Sequence, residues 1–269
     1  MKEGAIYSVA SMKGGVAKTT TTLNLAYAFA QMGKKVLAVD LDPQGNLTIC
    51  AGVADYDNLE HTAYTLLLEA LEDNEDEEPK KPSAEKAIVS CGIFDLIPCN
   101  NNLAAFETNK GHVIGVESSL KVVVEPLRGI YDVIIIDTQP SFGILPLNAI
   151  VASESVIIPI TPQLLSAVGA RDLFRMIKRI KKHYNPNIAI EGIVMCLCDT
   201  RTKIYREVNK LVEDNYGQRA RIFDAVIPVS VKVSEANMAS KSVIEYAPDS
   251  KPAEAYINLA KEIAANTKR

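Results

Sequence analysis

Between Ser11 and Thr20 the chain reads Ser-Met-Lys-Gly-Gly-Val-Ala-Lys-Thr-Thr, a run whose residue types suit the holding of phosphate. Gly14 and Gly15 let backbone amides turn inward on an anion with no Cβ in the way. Lys18 has the reach for the β- and γ-phosphates of a nucleotide, and the Thr19 hydroxyl is a ligand type for Mg²⁺. A helix starting at Thr19 adds the partial positive charge of its N-terminus. The common phosphate-loop formula asks for glycine at positions 12 and 17, where this chain has Met12 and Ala17. A plain Gly-Gly turn is the alternative, and it does not explain two flanking lysines with Thr-Thr behind them. Farther on, Asp137 closes the apolar run Val133–Asp137. A carboxylate at that end of a buried strand is placed to hold Mg²⁺ or its water; capping a helix is the other use for it.

These groups need elements to position them. Ala5–Ala10, Val36–Asp40, Phe94–Ile97, Val133–Asp137, Ser155–Ile160, Ile190–Leu197 and Ala225–Pro228 read as strands, apolar throughout as when both sheet faces are buried. Helices are expected at Thr19–Met32, Thr62–Glu72, Ser118–Leu127, Leu165–His183, Lys203–Tyr216 and Ala253–Ala265, with Gly33 closing the first. The alternation predicts an α/β fold, a doubly wound and mainly parallel sheet flanked by helices. No composition shift marks a boundary, so one domain over 1–269 is expected, with no separate DNA-binding module ahead of the first strand. Residues 72–82, rich in Glu and Asp, read as an acidic surface loop.

Net charge is −4, yet it divides unevenly: −7 over residues 1–130 and +3 over 131–269, which leaves room for a local basic face. On the helix expected at Leu165–His183, Arg171, Arg175, Lys178 and Lys182 recur on one stripe, with Phe174, Ile177 and Ile180 toward the core. That stripe is either a solvated face or a surface for phosphates or an acidic partner. Cys50, Cys91, Cys99, Cys196 and Cys198 read as buried, reduced thiols, the last two on the same side of a strand. No run approaches the length of a membrane span and no basic leader opens the chain, so a cytoplasmic location is expected.

Lys13 to Thr20 resembles the deviant Walker A signature of the ParA/Soj and MinD family of ATPases, K-G-G-x-G-K-T-[ST]. Asp40-Leu41-Asp42-Pro43-Gln44-Gly45-Asn46 resembles the family's first switch, and Asp137-Thr138-Gln139-Pro140-Ser141 its second, with Gln139 where proline is usual. Asp199 to Thr202, Val226 to Pro228 and Val233 to Ala236 resemble late motifs of the Soj-type branch. The resemblance implies a P-loop ATPase binding ATP and Mg²⁺ and hydrolysing ATP slowly. Lys13, Gly14, Gly15, Val16, Ala17, Lys18, Thr19 and Thr20 would hold the nucleotide, with Pro228 near the adenine; Lys13, Lys18 and Asp42 would serve catalysis. Lys13 is implied to cross to a partner's phosphates in a sandwich dimer, Asp42 to orient water, and Thr19, Asp40 and Asp137 to serve the metal. Where position 17 needs positive φ, Ala17 costs roughly 1 kcal/mol.

The same resemblance implies a switch for plasmid or chromosome partition. An ATP-dependent homodimer would bind non-specific DNA through Arg201, Lys203, Arg206 and Lys232, sit on the nucleoid when ATP-bound, and be released by a ParB/Spo0J-like centromere-binding protein. A MinD-like switch would end in a basic amphipathic helix. The tail instead has Tyr256, Leu259, Ala260 and Ile263 on one face, which suits docking on the fold and no membrane contact. An iron-protein-like reductase would need cysteines near the second switch, and 137–143 has none. A metabolic enzyme of the same fold stays open as a rival.

Overall fold

The computed structural model describes residues 3–72 and 82–266. Most of the expected acidic loop therefore lies outside the described residues. Eight strands run β1 Ala5–Val9, β2 Val36–Leu41, β3 Val89–Ser90, β4 Asp95–Ile97, β5 Val133–Thr138, β6 Ser155–Ile160, β7 Ala189–Cys198 and β8 Ile222–Pro228. The α-helices are α1 Lys18–Gln31, α2 Asn46–Cys50, α3 Ala63–Glu69, α4 Ala84–Ala87, α5 Leu103–Lys110 and α6 Ser119–Val124. They continue as α7 Ile144–Ala152, α8 Leu164–His183, α9 Lys203–Tyr216, α10 Val231–Met238, α11 Val243–Tyr246 and α12 Lys251–Asn266.

One sheet holds all eight strands in the order β3-β4-β2-β5-β1-β6-β7-β8, parallel except where β3 joins β4. Strands β1, β2, β5 and β6 are buried at every position, as continuous apolar runs require. Strand β8, at the far end, alternates instead. Adjacent residues of β1 serve opposite faces: Tyr7 packs with α1 and α12, Ile6 with the α3–α7 side. Register then fixes the working end, with Val9 beside Asp137 and Asp40 beside Asp137 on neighbouring strands. The carboxyl ends of β1, β2 and β5 therefore open on one crevice, where ligands bind in such sheets.

Several expected elements are longer or differently bounded, and some were not legible. Helix α7 (I-L-P-L-N-A-I-V-A) is apolar on all sides, so it carries no period to read. Helices α2, α4, α5 and α10 and strand β3 have eight residues or fewer. The expectation that Cys196 and Cys198 share a face is corrected. Between them Leu197 takes φ 55°, and pairing with β8 slips between Met195 and Cys198. Cys196 consequently joins the layer under α1 and α12, and Cys198 the opposite layer under α8 and α9. Both thiols are free and buried, as is Cys99; Cys50 and Cys91 are free but only half-buried, which corrects the expectation of burial for those two.

The stripe on α8 divides as expected, with Arg171, Arg175, Lys178 and Lys182 exposed and Ile177 and Ile180 buried. The terminal helix α12 docks with Tyr256, Leu259, Ala260 and Ile263 each fully buried. Its hydroxyl partner is Thr21 of α1, 3.5 Å from Tyr256 Oη. Tyr256→Ala is expected to cost about 3–5 kcal/mol in urea unfolding, the range for a buried aromatic cut to alanine. Tyr256→Phe should cost about 1 kcal/mol at most, because only one long hydrogen bond is lost.

Candidate functional site

Helix α1 starts abruptly, and its start makes the site. Its N-cap residue, Ala17, makes no side-chain cap, and the first turn, Lys-Thr-Thr, has no acidic residue. The N–H groups of that turn are thus left to an external anion, beside the positive end of the helix dipole. The loop ahead of it turns through Gly15 at φ 71° and Ala17 at φ 68°. At 17 the backbone is left-handed, so the condition for strain at Ala17 is met. Gly14 needs its glycine less, since an added Cβ would only touch Pro140 Cγ at 3.8 Å.

Lys18 is 7% exposed, and burial pulls its pKa down while Asp137 and Asp42 push it back up. Asp137 is fully buried and accepts from Thr19 Oγ1 at 2.7 Å and from Thr22 Oγ1 at 3.2 Å. Burial, then repulsion from Asp40, raises its pKa to about 7. Asp40, its neighbour across the β2–β5 pairing, is raised to about 6, again chiefly by burial. Its Oδ2 takes both the Thr48 amide (2.8 Å) and the Thr48 hydroxyl (2.7 Å), and its Oδ1 takes the Asp42 amide at 3.2 Å. Asp40 thus braces the turn into α2 from below and does not line the crevice. Asp42 does line it, its Oδ1 accepting the Gln44 amide at 3.0 Å.

The crevice is a cavity of about 720 Å³ walled by Gly14, Gly15, Ala17, Lys18, Thr19 and Thr20 on one side. Asp42, Gln44, Asn46, Gln139, Pro140 and Ser141 form the switch-loop wall, and Leu197, Val233, Ser234 and Asn237 the far end. Val16 is buried beneath the loop. Pro228 is not part of the lining. The chain turns after it into α10, and the inner face of α10 covers that end instead. Gln44 and Asn46 sit inside a segment already singled out by its pattern. Leu197 and Asn237 had no local signal, because only the β7 irregularity and the α10 docking bring them here.

Lys13 stands at the rim, where its Nζ donates to Gln163 Oε1. Next to Gln163 in the chain, Leu164 and Leu165 are 59% and 72% exposed, and Phe142, just after the cavity-lining Pro140 and Ser141, is 66% exposed. The basic residues expected to meet DNA lie elsewhere, and three are already paired. Arg201 forks onto Asp199 (2.9 and 2.8 Å), Lys203 lies 3.4 Å from Glu207, and Lys232 lies 2.8 Å from Glu235. Arg206 is exposed, without an ion pair among the described residues. On α8, by contrast, Arg171, Arg175, Lys178, Arg179, Lys181 and Lys182 share the helix with a single acid, Asp172, which lies near Arg171 (4.0 Å) and Arg175 (3.3 Å).

Among the described residues no group of three or more His, Cys, Asp or Glu could hold a metal, and no helix is long and apolar enough to cross a membrane. Mg²⁺ does not need such a cage, since it is commonly held by one or two side chains together with phosphates and water. The hydroxyl–carboxylate pair of Thr19 and Asp137, beside the anion-receptive helix start, fits it.

A family model described as "AAA domain" matches residues 4–190. A second, "4Fe-4S iron sulfur cluster binding proteins, NifH/frxC family", matches 130–269. The cysteines of that span, Cys196 and Cys198, are buried on opposite faces of the sheet, so this chain's residues do not fit an iron–sulfur cluster. The chain is 37% identical over 265 residues to the sporulation initiation inhibitor protein Soj of Bacillus subtilis, covering 98% of this chain and 99% of that one. It is 33% identical over 260 residues to the chromosome partitioning protein ParA of Caulobacter vibrioides, covering 96% and 93%. A solved Mycobacterium smegmatis structure, titled cobyrinic acid a,c-diamide synthase with bound ADP and magnesium, superposes with a TM-score of 0.82 at 33% identity, covering 98% and 96%.

Two expectations follow from the site's charge and strain. A carboxyl whose folded pKa exceeds its unfolded value near 3.8 keeps a proton the unfolded chain has lost. For Asp40 and Asp137 stability is therefore fully present at low pH and falls as pH rises from about 4 to about 7. Asp137→Asn removes the repulsion, so without nucleotide it should exceed the wild type in stability by on the order of 1–2 kcal/mol at pH 8 and by little at pH 5. Urea unfolding at the two pH values checks this; an equal difference at both would contradict it. Ala17→Gly should raise stability by roughly 1 kcal/mol, since only Gly adopts left-handed φ freely.

Proposed function

The chain belongs to the ParA/MinD family of P-loop ATPases, and from that premise we propose that it is an ATP-driven partition switch of the Soj/ParA type. ATP with Mg²⁺ occupies the crevice, the phosphates cradled by Lys13 to Thr20. Lys18 binds the β- and γ-phosphates, and its burial among Asp42 and Asp137 keeps it directed there. Thr19 and Asp137 hold Mg²⁺, which supplies charge neutralisation to the phosphates; Asp40 stands behind them and fixes the loop that carries Asp42. Asp42 is the carboxylate that orients water for slow hydrolysis, because it alone of the three aspartates lines the cavity. The adenine lies toward Leu197, Val233 and Asn237 rather than against Pro228.

The observation that carries the switch reading is the rim. Lys13 rests on Gln163 of its own chain, which leads directly into the exposed Leu164, Leu165 and Val168 of α8, and Phe142 beyond the second switch is exposed too. An apolar rim of that kind marks an interaction surface. A second copy closing over it would cover these side chains and bring each Lys13 toward the other's nucleotide, as an arginine finger does. The apolar face of α12 is already covered by the fold, which supports a docking role over a membrane-binding one.

DNA binding in the dimer rests on local charge, since the net charge is −4. Arg201, Lys203, Arg206 and Lys232 provide part of it, but acidic neighbours offset three of them. The less compensated α8 face provides more. A ParB/Spo0J-like partner would then trigger release, and the ATP-bound dimer would sit on the nucleoid. Lys18→Ala is expected to abolish binding of a fluorescent ATP analogue; undiminished affinity would sink the phosphate-loop reading. With ATP, Lys178→Ala/Lys182→Ala should reduce retention on DNA more than Arg201→Ala/Lys232→Ala, each pair flattening the salt slope by at most about two. The reverse ranking would move the contact back to the late loops. Wild-type protein that dimerises with ATP yet never retains DNA at low salt would favour a metabolic enzyme of the same fold.

A further inference from the structure

Glu107 stands on α5, away from the loops that make the crevice, yet three observations converge on its carboxylate. Its Oε2 accepts from Gln139 Nε2 at 2.9 Å, and its Oε1 accepts from the Leu145 amide at 3.4 Å. A Cβ at Gly143 would collide with Oε1, so glycine is what lets the carboxylate approach. Helix α7 has no side-chain cap from its own N-cap residue, Gly143, and Pro146 in its first turn brings no N–H. Glu107 supplies from another helix the negative charge that this N-terminus favours.

One side chain thus holds both ends of the second switch, with Gln139 at its start and the first turn of α7 at its end. Between those points Pro140 and Ser141 face the nucleotide cavity. The resemblance noted above places a proline at 139, whose ring would fix φ covalently. Here a hydrogen bond to Glu107 performs that restraint. The segment that leads to Glu107 also reaches the first switch. Cys99 Sγ donates to the Asp42 carbonyl at 2.8 Å, and the Cys99 amide donates to Thr48 Oγ1 at 3.0 Å. Thr48 in turn holds Asp40.

We propose that Glu107 is a positioning residue that latches the second switch against the nucleotide cavity, and that residues 99–107 link this latch to the loop carrying Asp42. The proposal rests on the reading of that cavity as the ATP site only for its catalytic consequence; the latch itself is a property of the chain without nucleotide.

Hydrogen–deuterium exchange on the nucleotide-free, full-length protein tests it, comparing wild type, Glu107→Ala, Gln139→Pro and the double variant. Glu107→Ala should speed exchange across residues 139–147 by about tenfold, with a smaller rise across 42–48. In the Gln139→Pro background the same change should have under about a third of that effect, because the ring already restrains the loop. In steady-state ATPase assays Glu107→Ala should lower kcat several-fold with KM for ATP within about twofold. Unchanged exchange at 139–147 would overturn the latch, and a lowered melting temperature with kcat unaltered would overturn its positioning role in catalysis. Faster exchange at 139–147 with 42–48 unmoved would overturn the link to the first switch. If exchange behaves as expected while the wild type neither binds nor hydrolyses ATP, the latch stands and the nucleotide reading falls.

Discussion

The parallel pairing of β2 with β5 sets Asp40 directly beside Asp137, and the rest of the site is arranged around that burial of two like charges. Neither carboxylate reaches solvent; burial raises both pKa values, and charge repulsion adds to it, from Asp40 at Asp137 and from Asp42 at Asp40. Hydrogen bonds from Thr19, Thr22, Thr48 and the Asp42 amide satisfy their oxygens, and the Lys18 ammonium supplies part of the opposing charge. What is left is a surplus of negative charge behind a helix start whose N–H groups await an anion. A phosphate chain carrying a divalent cation would answer both demands, the amides receiving its oxygens and Asp137 with Thr19 holding the metal.

Strain is concentrated at the same crevice. Ala17 and Leu197, both lining it, hold left-handed backbone, a conformation that L-residues adopt at a cost of about 1–2 kcal/mol. At Leu197 the excursion also breaks the β7–β8 register and turns an apolar side chain, 38% exposed, toward the cavity. Such positions persist only where surrounding packing over-determines them, and here the buried central strands and the docked α12 provide that packing. Rigid framework and mobile rim thus divide the work. Asp137 sits on a strand, whereas Asp42, Gln139 and Ser141 sit on loops held by side-chain hydrogen bonds that can be exchanged.

Sequence reading reached those parts of the site that are local in the chain. The phosphate loop is a contiguous run with a distinct chemistry, and Asp137 closes an apolar run, so its place at a sheet end could be anticipated; Asp42 is marked by the resemblance of its segment to the first switch. The α8 stripe and the buried face of α12 followed from helical period alone. Contacts made by distant segments could not be read in the same way. Glu107 lies in a short helix of weak amphipathicity, Gln163 just ahead of α8, and Asn237 on a helix of eight residues; only folding brings Glu107 to Gln139, Gln163 to Lys13 and Asn237 to the crevice. Pro228 shows the converse, a strand end singled out where the following helix, through Val233, Ser234 and Asn237, lines the cavity. Cys198 shows how one left-handed residue reverses a period-two inference.

Buried charge complemented by a metal-bearing phosphate chain is the central claim, and the Mg²⁺ dependence of nucleotide affinity tests it most directly. Equilibrium titration of the wild-type protein with a fluorescent ATP analogue at pH 8, with Mg²⁺ and then with a chelator, isolates the effect of the cation. Removing the metal brings the phosphates' full negative charge against Asp42 and Asp137, so affinity should fall by about tenfold or more, roughly 1.4 kcal/mol. Equal affinity with and without Mg²⁺ would contradict the account, since the carboxylate pair would then have no part in holding the nucleotide.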